Sequence, residues 1–356
     1  MISAIVVNYR CHTLTARAVA SILQDLPEAQ VIVVDNSESD LEAAALAACL
    51  PKNVVRRVLP RNVGFGQACN LAAADALHDH LMLLNPDAFV LPGCLAQLSR
   101  ALAGDDRVAA VSPAVYWDSQ QSWRLPPSFL PTPWTDLALS LGMRWRLLGE
   151  FSHRRYRRWV WRSLQDAGTV QQSMLSGGNM MIRANVLKRV GGLFDPAFFM
   201  YYEDTDLCRR ITRYGLKMLL VPQAYVVHRW QHSTSKHEPM SHSAAIYDQK
   251  HHAGDPVSAV RSMVERCLPA LHLPTSIDLG VLTCPPVIRL PPRWPTAWLA
   301  ELSPSPLYVP AAFHQGQGSD FVFPIDLWRC LGEGQYWLNL SAAGVRPVRY
   351  RWHLRC

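Results

Sequence analysis

Apolar residues in the first third of the chain come in five runs, Ile2–Val7, Val31–Asp35, Val54–Leu59, Leu81–Asn85 and Val108–Val115. They are rich in Val, Ile and Leu and nearly continuous, which suits parallel strands covered on both faces. Helical stretches lie between them. Ser39-Asp40-Leu41-Glu42 has capping-box spacing and opens an Ala/Leu-rich helix. Gly66–Ala76 is another Ala-rich stretch, and Pro92, just ahead of CLAQLSRALA, suits a first helical turn. Strand and helix alternating over short connections predict a doubly wound α/β sheet.

The rhythm breaks over 116–170. Thr132-Pro133 predicts the start of a helix with Trp134, Leu137, Leu141, Trp145 and Leu148 on one side. An arginine cluster follows, Arg144, Arg146, Arg154, Arg155, Arg157, Arg158 and Arg162, against one acid, Glu150. From 171 the α/β pattern returns. MLSGGNMMIR reads as a strand, and ANVLKRVGG as a helix stopped at Gly192. Glu203–Tyr214 reads as a helix followed by Gly215, and KMLLVP and AYVVH as two strands. Residues 229–254 are polar and His-rich, with a short helix around SAAIYDQKHH. Beyond 255 the composition changes. Half of the 26 prolines lie there, and Phe321–Phe323, Gln335–Leu340 and Val348–His353 are short β-type runs between Gly and Pro turns. The expected organisation is a domain over 1–254 with an insertion at 116–170, and a separate small β-rich accessory domain over 255–356.

The 356 residues, 49% hydrophobic, suffice for one large or two medium cores. The net charge of +7 favours anionic partners such as phosphates, nucleotides or anionic lipid. It would also favour nucleic acid, but no nucleic-acid-binding module accompanies it, so no nucleic-acid partner is expected. The nine cysteines include no Cys-x-x-Cys pair and read as reduced thiols. The N-terminus lacks a signal-peptide n-region, and no apolar run approaches the roughly 20 residues of a spanning helix. The expectation is a cytoplasmic protein, soluble or peripheral.

Several positions carry candidate chemistry, each with a plainer alternative. Asp35 ends the second run, where ligands of open α/β sheets bind; it can accept a pyrimidine imide N–H, or Asp35-Asn36-Ser37 is only a capped turn. Gly64 and Gly66 in NVGFGQACN allow a turn that approaches a nucleotide closely, although this is not a dinucleotide fingerprint. Asp87, after Asn85-Pro86, can hold a hard divalent cation bridging a diphosphate, or be a solvated turn residue. The run FFMYYEDTDLCRR (198–210) halts at Glu203-Asp204, where one carboxylate can take a proton from a hydroxyl. Acids in a first helical turn also favour the macrodipole. His228 ends AYVVH and is a candidate metal ligand only if it faces Asp87.

Taken in order, VVNYR, VVDNSESD, NVGFGQACN, LLNPDAFV, the long block from Ser176 to Gly215 and VPQAYVVH resemble the inverting nucleotide-sugar glycosyltransferases of family 2, in particular their rhamnosyltransferase branch. The resemblance covers roughly residues 1–254. It implies a GT-A fold, a Rossmann-like mixed sheet flanked by helices. It implies base contacts from Tyr9 and Asp35, and a nucleotide-sugar site that includes Asn62, Gly64, Asp87, Gly177 and Gly178. Asp87 and His228 would bind Mg2+ or Mn2+, Asp204 would be the general base, and Glu203 would orient the acceptor. The implied donor is a nucleoside diphosphate sugar, dTDP-L-rhamnose in the first place. The implied acceptor is a saccharide or lipid-linked saccharide in surface polysaccharide synthesis. Asn85 stands where the wider family often has a second acid, and Ser176-Gly177-Gly178 replaces the more usual Ser-Gly-Ala.

The basic, Trp-rich insertion reads either as an interfacial helix docking on anionic lipid at the inner face of the cytoplasmic membrane, or as a helical hairpin covering the sheet. Residues 229–254 read as a lid using Ser233, Thr234, Ser235, Lys236, Lys250, His251 and His252 on phosphate, or as a linker. Trp294, Trp298, Trp328, Trp337 and Trp352 read as a core or as sugar-stacking surfaces. The competing class is a non-catalytic nucleotide-sugar or glycan-binding protein on the same fold. A nucleotidyltransferase fits less well, because no Gly-rich phosphate loop follows the first run.

Overall fold

A computed structural model describes residues 1–165, 168–231, 237–269, 274–292 and 294–355. Its first part alternates as read: β1 (Ile2–Asn8), α1 (His12–Asp25), β2 (Gln30–Asp35), α2 (Asp40–Cys49), β3 (Val55–Val58), α3 (Phe65–Ala73), β4 (His80–Leu84), β5 (Ala88–Val90), α4 (Cys94–Ala103) and β6 (Val108–Tyr116). β4, β1, β2 and β3 lie side by side in parallel. β1, β2 and β4 are buried almost throughout, because α1, α2 and α4 cover one face and α3 part of the other. β3 is the edge, and Arg56 and Arg57 within its mostly exposed Val-Arg-Arg-Val blunt further strand pairing.

Then come β7 (Trp123–Leu125), α5 (Pro133–Gly142), α6 (Arg146–Gln165), β8 (Val170–Gln172), β9 (Asn179–Arg183), α7 (Ala184–Val190), α8 (Glu203–Arg213) and β10 (Lys217–His228). β9 sits antiparallel between β4 and β6, so the sheet is mixed. This mixed sheet with helices on both faces is the GT-A arrangement that the resemblance implies. β10 runs parallel to β6, and its end pairs antiparallel with β5. That pairing sets His228 opposite Ala88, the neighbour of Asp87.

Up to His228, three elements differ from the sequence reading. MLSGGNMMIR is a strand only from Asn179, because Ser176–Gly178 turn instead. KMLLVP and AYVVH are one strand, interrupted by a register shift between Val221 and Tyr225, where Pro222 has no N–H to give. The helix after Thr132 is two: Thr132 and Thr135 form a capping box for α5, which ends at Gly142. There the chain crosses α6 so closely that a Cβ on Gly142 would lie 3.3 Å from the Gly149 Cα.

The remainder comprises α9 (His237–His252), α10 (Pro256–Cys267), β11 (Ile277–Leu282), β12 (Val287–Arg289), β13 (Ala297–Ser303), β14 (Ala312–Gln317), β15 (Asp320–Val322), α11 (Ile325–Trp328), β16 (Gly334–Ser341) and β17 (Val348–Leu354). Helix α10 was not foreseen. β14, β13, β16 and β17 are antiparallel neighbours, and β14 pairs with β7 through Phe313–Arg124 and His314–Trp123. Trp298, Trp328, Trp337 and Trp352 are buried, so they build the core of this part. One face of α6 docks on these strands. Fully buried Glu301 accepts from Asn339 Nδ2 at 2.6 Å and lies 3.0 Å from His153 Nε2, while Arg349 forks onto Glu150.

Candidate active site

The site starts where β1 and β2 end side by side, with Asn8 in register with Asp35. Asn8 Nδ2 donates to Asp35 Oδ1 at 3.0 Å, and the Ser37 hydroxyl donates to the same oxygen. Asp35 is thereby fixed and buried, with exposed Tyr9 beside it. Asn36 Nδ2 donates to Asn62 Oδ1 at 2.8 Å, and that oxygen also accepts from the Gly64 N–H at 2.9 Å. Tyr9, Asp35, Asn62 and Gly64 thus share one rim of the sheet. Asn8, which the sequence alone gave no role, and Asn36 and Ser37, read there only as part of a capped turn, hold that rim together.

Gly64 also joins this rim to the acidic turn. Its φ is +84°, and a Cβ there would overlap the Phe199 carbonyl oxygen. That oxygen accepts from the Phe65 N–H at 3.0 Å. Tyr201 and Tyr202 follow at φ 68° and 64°, a costly conformation for side-chain-bearing residues that only over-determined surroundings maintain. Helix α9 supplies much of that support: Ser243 Oγ donates to the Met200 carbonyl at 2.7 Å, and the Tyr247 ring packs on Tyr202.

Helix α8 begins at this turn, and its three acids meet different environments. Glu203 is buried against Gly66; burial, with Asp204 adding repulsion, pushes its carboxyl up to about 8. Its Oε2 has no hydrogen-bond partner among the described residues. Asp204 Oδ2 accepts from the Gly177 N–H at 2.9 Å, and Oδ1 from the Thr205 N–H at 2.7 Å. Burial raises its carboxyl too, against the pull of those N–H groups. Asp206 is held by two cations, Arg210 Nε at 2.7 Å and Lys250 Nζ at 2.7 Å, and by the ring of His251, Nε2 at 2.8 Å, whose protonation burial disfavours. Burial opposes its ionisation, but these partners outweigh burial and keep it below the usual carboxylate range. Asp206 is committed to structure, whereas Asp204 has only N–H and hydroxyl partners.

Gly177 and Gly178 connect Asp204 to Asp87. Gly177 holds Asp204, and the Gly178 carbonyl accepts from the Asn85 N–H at 2.8 Å. A Cβ on Gly178 would come 2.5 Å from Asn85 Nδ2. Two residues on, Asp87 Oδ1 lies 3.1 Å from His228 Nε2. His228 is buried, and its Nε2 is not directed as a hydrogen bond to any described residue. This orphaned nitrogen beside a carboxylate is a fitting pair of ligands for a divalent ion. No group of three or more His, Cys, Asp or Glu side chains suited to a metal occurs among the described residues. The pair therefore fits an ion that takes its other ligands from substrate and water.

A cavity of about 590 Å³ opens beside these groups, bordered by Ser176, Tyr202, Thr205, His228 and Trp230. Of the segment read as a lid, Ser233, Thr234, Ser235 and Lys236 lie outside the described residues. Lys250 and His251 bind Asp206, so they secure α9 to α8.

The sequence pattern of the glycosyltransferase-like family 2 matches residues 1–251. The chain is 31% identical over 233 residues to the N-acetylglucosaminyl-diphospho-decaprenol L-rhamnosyltransferase of Mycobacterium tuberculosis (strain H37Rv), covering 60% of this chain and 71% of that protein. It is 39% identical over 57 residues to the rhamnosyltransferase WbbL of Escherichia coli (strain K12), 16% of this chain and 21% of that one. Among solved structures, that of GalNAc-T7 with UDP, GalNAc and Mn2+ superposes with TM-score 0.49 at 19% identity, over 77% of this chain and 52% of that one.

Proposed function

Because the chain belongs to the glycosyltransferase-like family 2, we propose that it is an inverting transferase that moves a sugar from a nucleoside diphosphate to an acceptor hydroxyl, with Asp204 as base. The observation that carries this reading is the Gly177–Gly178 turn, which binds Asp204 on one side and Asn85, two residues from Asp87, on the other. The names of the relatives favour L-rhamnose as the sugar, and the family resemblance adds dTDP as its carrier. The name of the Mycobacterium tuberculosis relative also favours an acceptor linked through diphosphate to a polyprenol.

In this reading Tyr9 and Asp35 hold the base, and Asn62 and Gly64 shape the nucleotide rim. Asp87 and His228 hold Mn2+ or Mg2+, and the imidazole nitrogen favours Mn2+, since Mg2+ prefers an all-oxygen shell. The ion, when bound, neutralises charge on the leaving diphosphate. Glu203 keeps its proton near neutrality, which leaves the pair's negative charge on Asp204. Asp204, oriented by the Gly177 and Thr205 N–H groups, takes the acceptor proton as the acceptor oxygen attacks the anomeric carbon. The C–O bond to the diphosphate breaks on the opposite side, so the configuration inverts.

The insertion supports work at a lipid surface. Trp134, Trp145, Leu147, Leu148 and Phe151 are exposed beside exposed Arg146, Arg154, Arg155 and Arg158. No helix among the described residues is long and apolar enough to cross a membrane. We place the protein at the inner face of the cytoplasmic membrane, held by this patch. Release of dTDP from dTDP-L-rhamnose, with and without Mn2+, tests the proposal. Metal-stimulated release is expected; donor binding without release under any acceptor condition would favour a non-catalytic binding protein.

A further inference from the structure

The proposed reaction uses only one end of the 590 Å³ cavity. Ser176 and Thr205, the neighbours of Gly177 and Asp204, and His228 beside Asp87 line that end. The rest of the wall comes from elements outside the donor rim. Phe129 belongs to the loop after β7 and Leu164 to α6, while Leu302, Pro304, Pro310 and Ala312 belong to the C-terminal segment. Most of the wall is of such aliphatic, prolyl and aromatic groups, with Ser112, Ser128, Gln172 and Asn179 as polar members. A sugar or nucleotide buried among them would give up hydrogen bonds to water and regain few. A hydrocarbon chain gives up none and gains with each methylene removed from water. The volume falls in the range of small-molecule sites. Pro304 and Pro310 are exposed, which puts part of this wall at the surface.

We propose that the cavity binds the apolar isoprenoid chain of the acceptor, with the C-terminal segment as its selecting wall. This rests on the glycosyltransfer reading above, and it assigns residues 302–312 to acceptor choice. A saccharide seated at that end of the cavity would meet Asp204, while its hydrocarbon end ran along the wall formed by the loop after β7, α6 and the C-terminal segment. An acceptor without such a chain would bind through its sugar alone.

The test uses farnesol, an isoprenoid alcohol with neither sugar nor phosphate, titrated calorimetrically into the full chain. Ser128→Trp narrows the cavity from the half-buried loop, and Pro304→Trp narrows it from the exposed side. Neither residue belongs to the donor or catalytic set. Saturable one-to-one binding is expected, weakened at least about tenfold in either variant, the worth of roughly two buried methylenes. Thermal unfolding and dTDP release should match the parent chain. No farnesol binding by the parent, or unchanged affinity in both folded variants, would overturn the proposal. Absence of dTDP release with farnesol binding intact and variant-sensitive would remove the glycosyltransfer reading and leave the apolar site standing.

Discussion

The backbone N–H of Gly177 donates to Asp204 Oδ2 over 2.9 Å, so the turn that opens β9 also aims the carboxylate at the start of α8. The next residue of that turn has no spare room. Gly178→Ala would push a methyl group to 2.5 Å from Asn85 Nδ2 and displace Asn85 or the turn. A misplacement of this order is expected to lower donor turnover by roughly 10–100-fold, with about 1–3 kcal/mol lost to overpacking. Steady-state kinetics and urea denaturation of the variant check both figures.

Glu203 sets a pH dependence. Its carboxyl is held near 8 in the folded chain and titrates near 4.5 when unfolded. Between those values the folded state binds the extra proton, so this group's contribution to stability is full below 4.5 and is lost as pH rises through 8. Glu203→Gln removes that loss. The variant should gain at least about 1 kcal/mol over the parent between pH 5 and pH 9, the free energy of a roughly tenfold change in proton affinity. Urea melts across that range read it; a parallel pH profile for both proteins would contradict the assigned burial.

Asp206 and Asp204 are two residues apart but should fail differently. Asp206→Asn leaves Lys250, Arg210 and His251 around a neutral amide and loosens α9 from α8. A loss of about 3 kcal/mol is expected, as for a broken buried ion pair. Any fall in activity should follow the folded fraction. Asp204→Asn should unfold at the parent's urea concentration or above, since it removes a charge that burial disfavours.

The strands that position the site were legible because burial on both faces leaves an apolar run: β1, β2, β4 and β6 fall where apolar residues are nearly continuous. The acidic turn was legible because Glu203-Asp204 interrupts aromatics. What escaped was governed by tertiary partners. Ser176–Gly178 carries an apolar flank like a strand, and only Asn85 and Asp204 make it a turn. The Ser39 capping box is half realised, since Glu42 turns instead to His12 and Asn8. Tyr201 and Tyr202 give no local sign of left-handed backbone; the contact at Gly64 and the support of α9 accompany it. Residues 255–267 looked like the start of β structure because prolines follow, yet Pro256 sits at the first turn of α10 and Asp255 caps it.

The insertion should respond to lipid charge. With Arg146, Arg154, Arg155 and Arg158 exposed beside Leu147, Leu148 and Phe151, the chain should co-sediment with vesicles containing phosphatidylserine and be released by salt. Leu147→Ser with Phe151→Ser should weaken binding at low salt by about tenfold or more, since each buried large apolar side chain is worth roughly 1.5–3 kcal/mol. Equal binding to neutral and anionic vesicles would contradict a basic docking face.

The most direct measurement is the turnover of Asp204→Asn with donor, Mn2+ and acceptor at saturating concentrations, alongside its affinity for dTDP. A carboxylate acting as base predicts a fall in kcat of about 10²–10⁴-fold with dTDP affinity unchanged. Turnover equal to that of the parent chain would contradict the account.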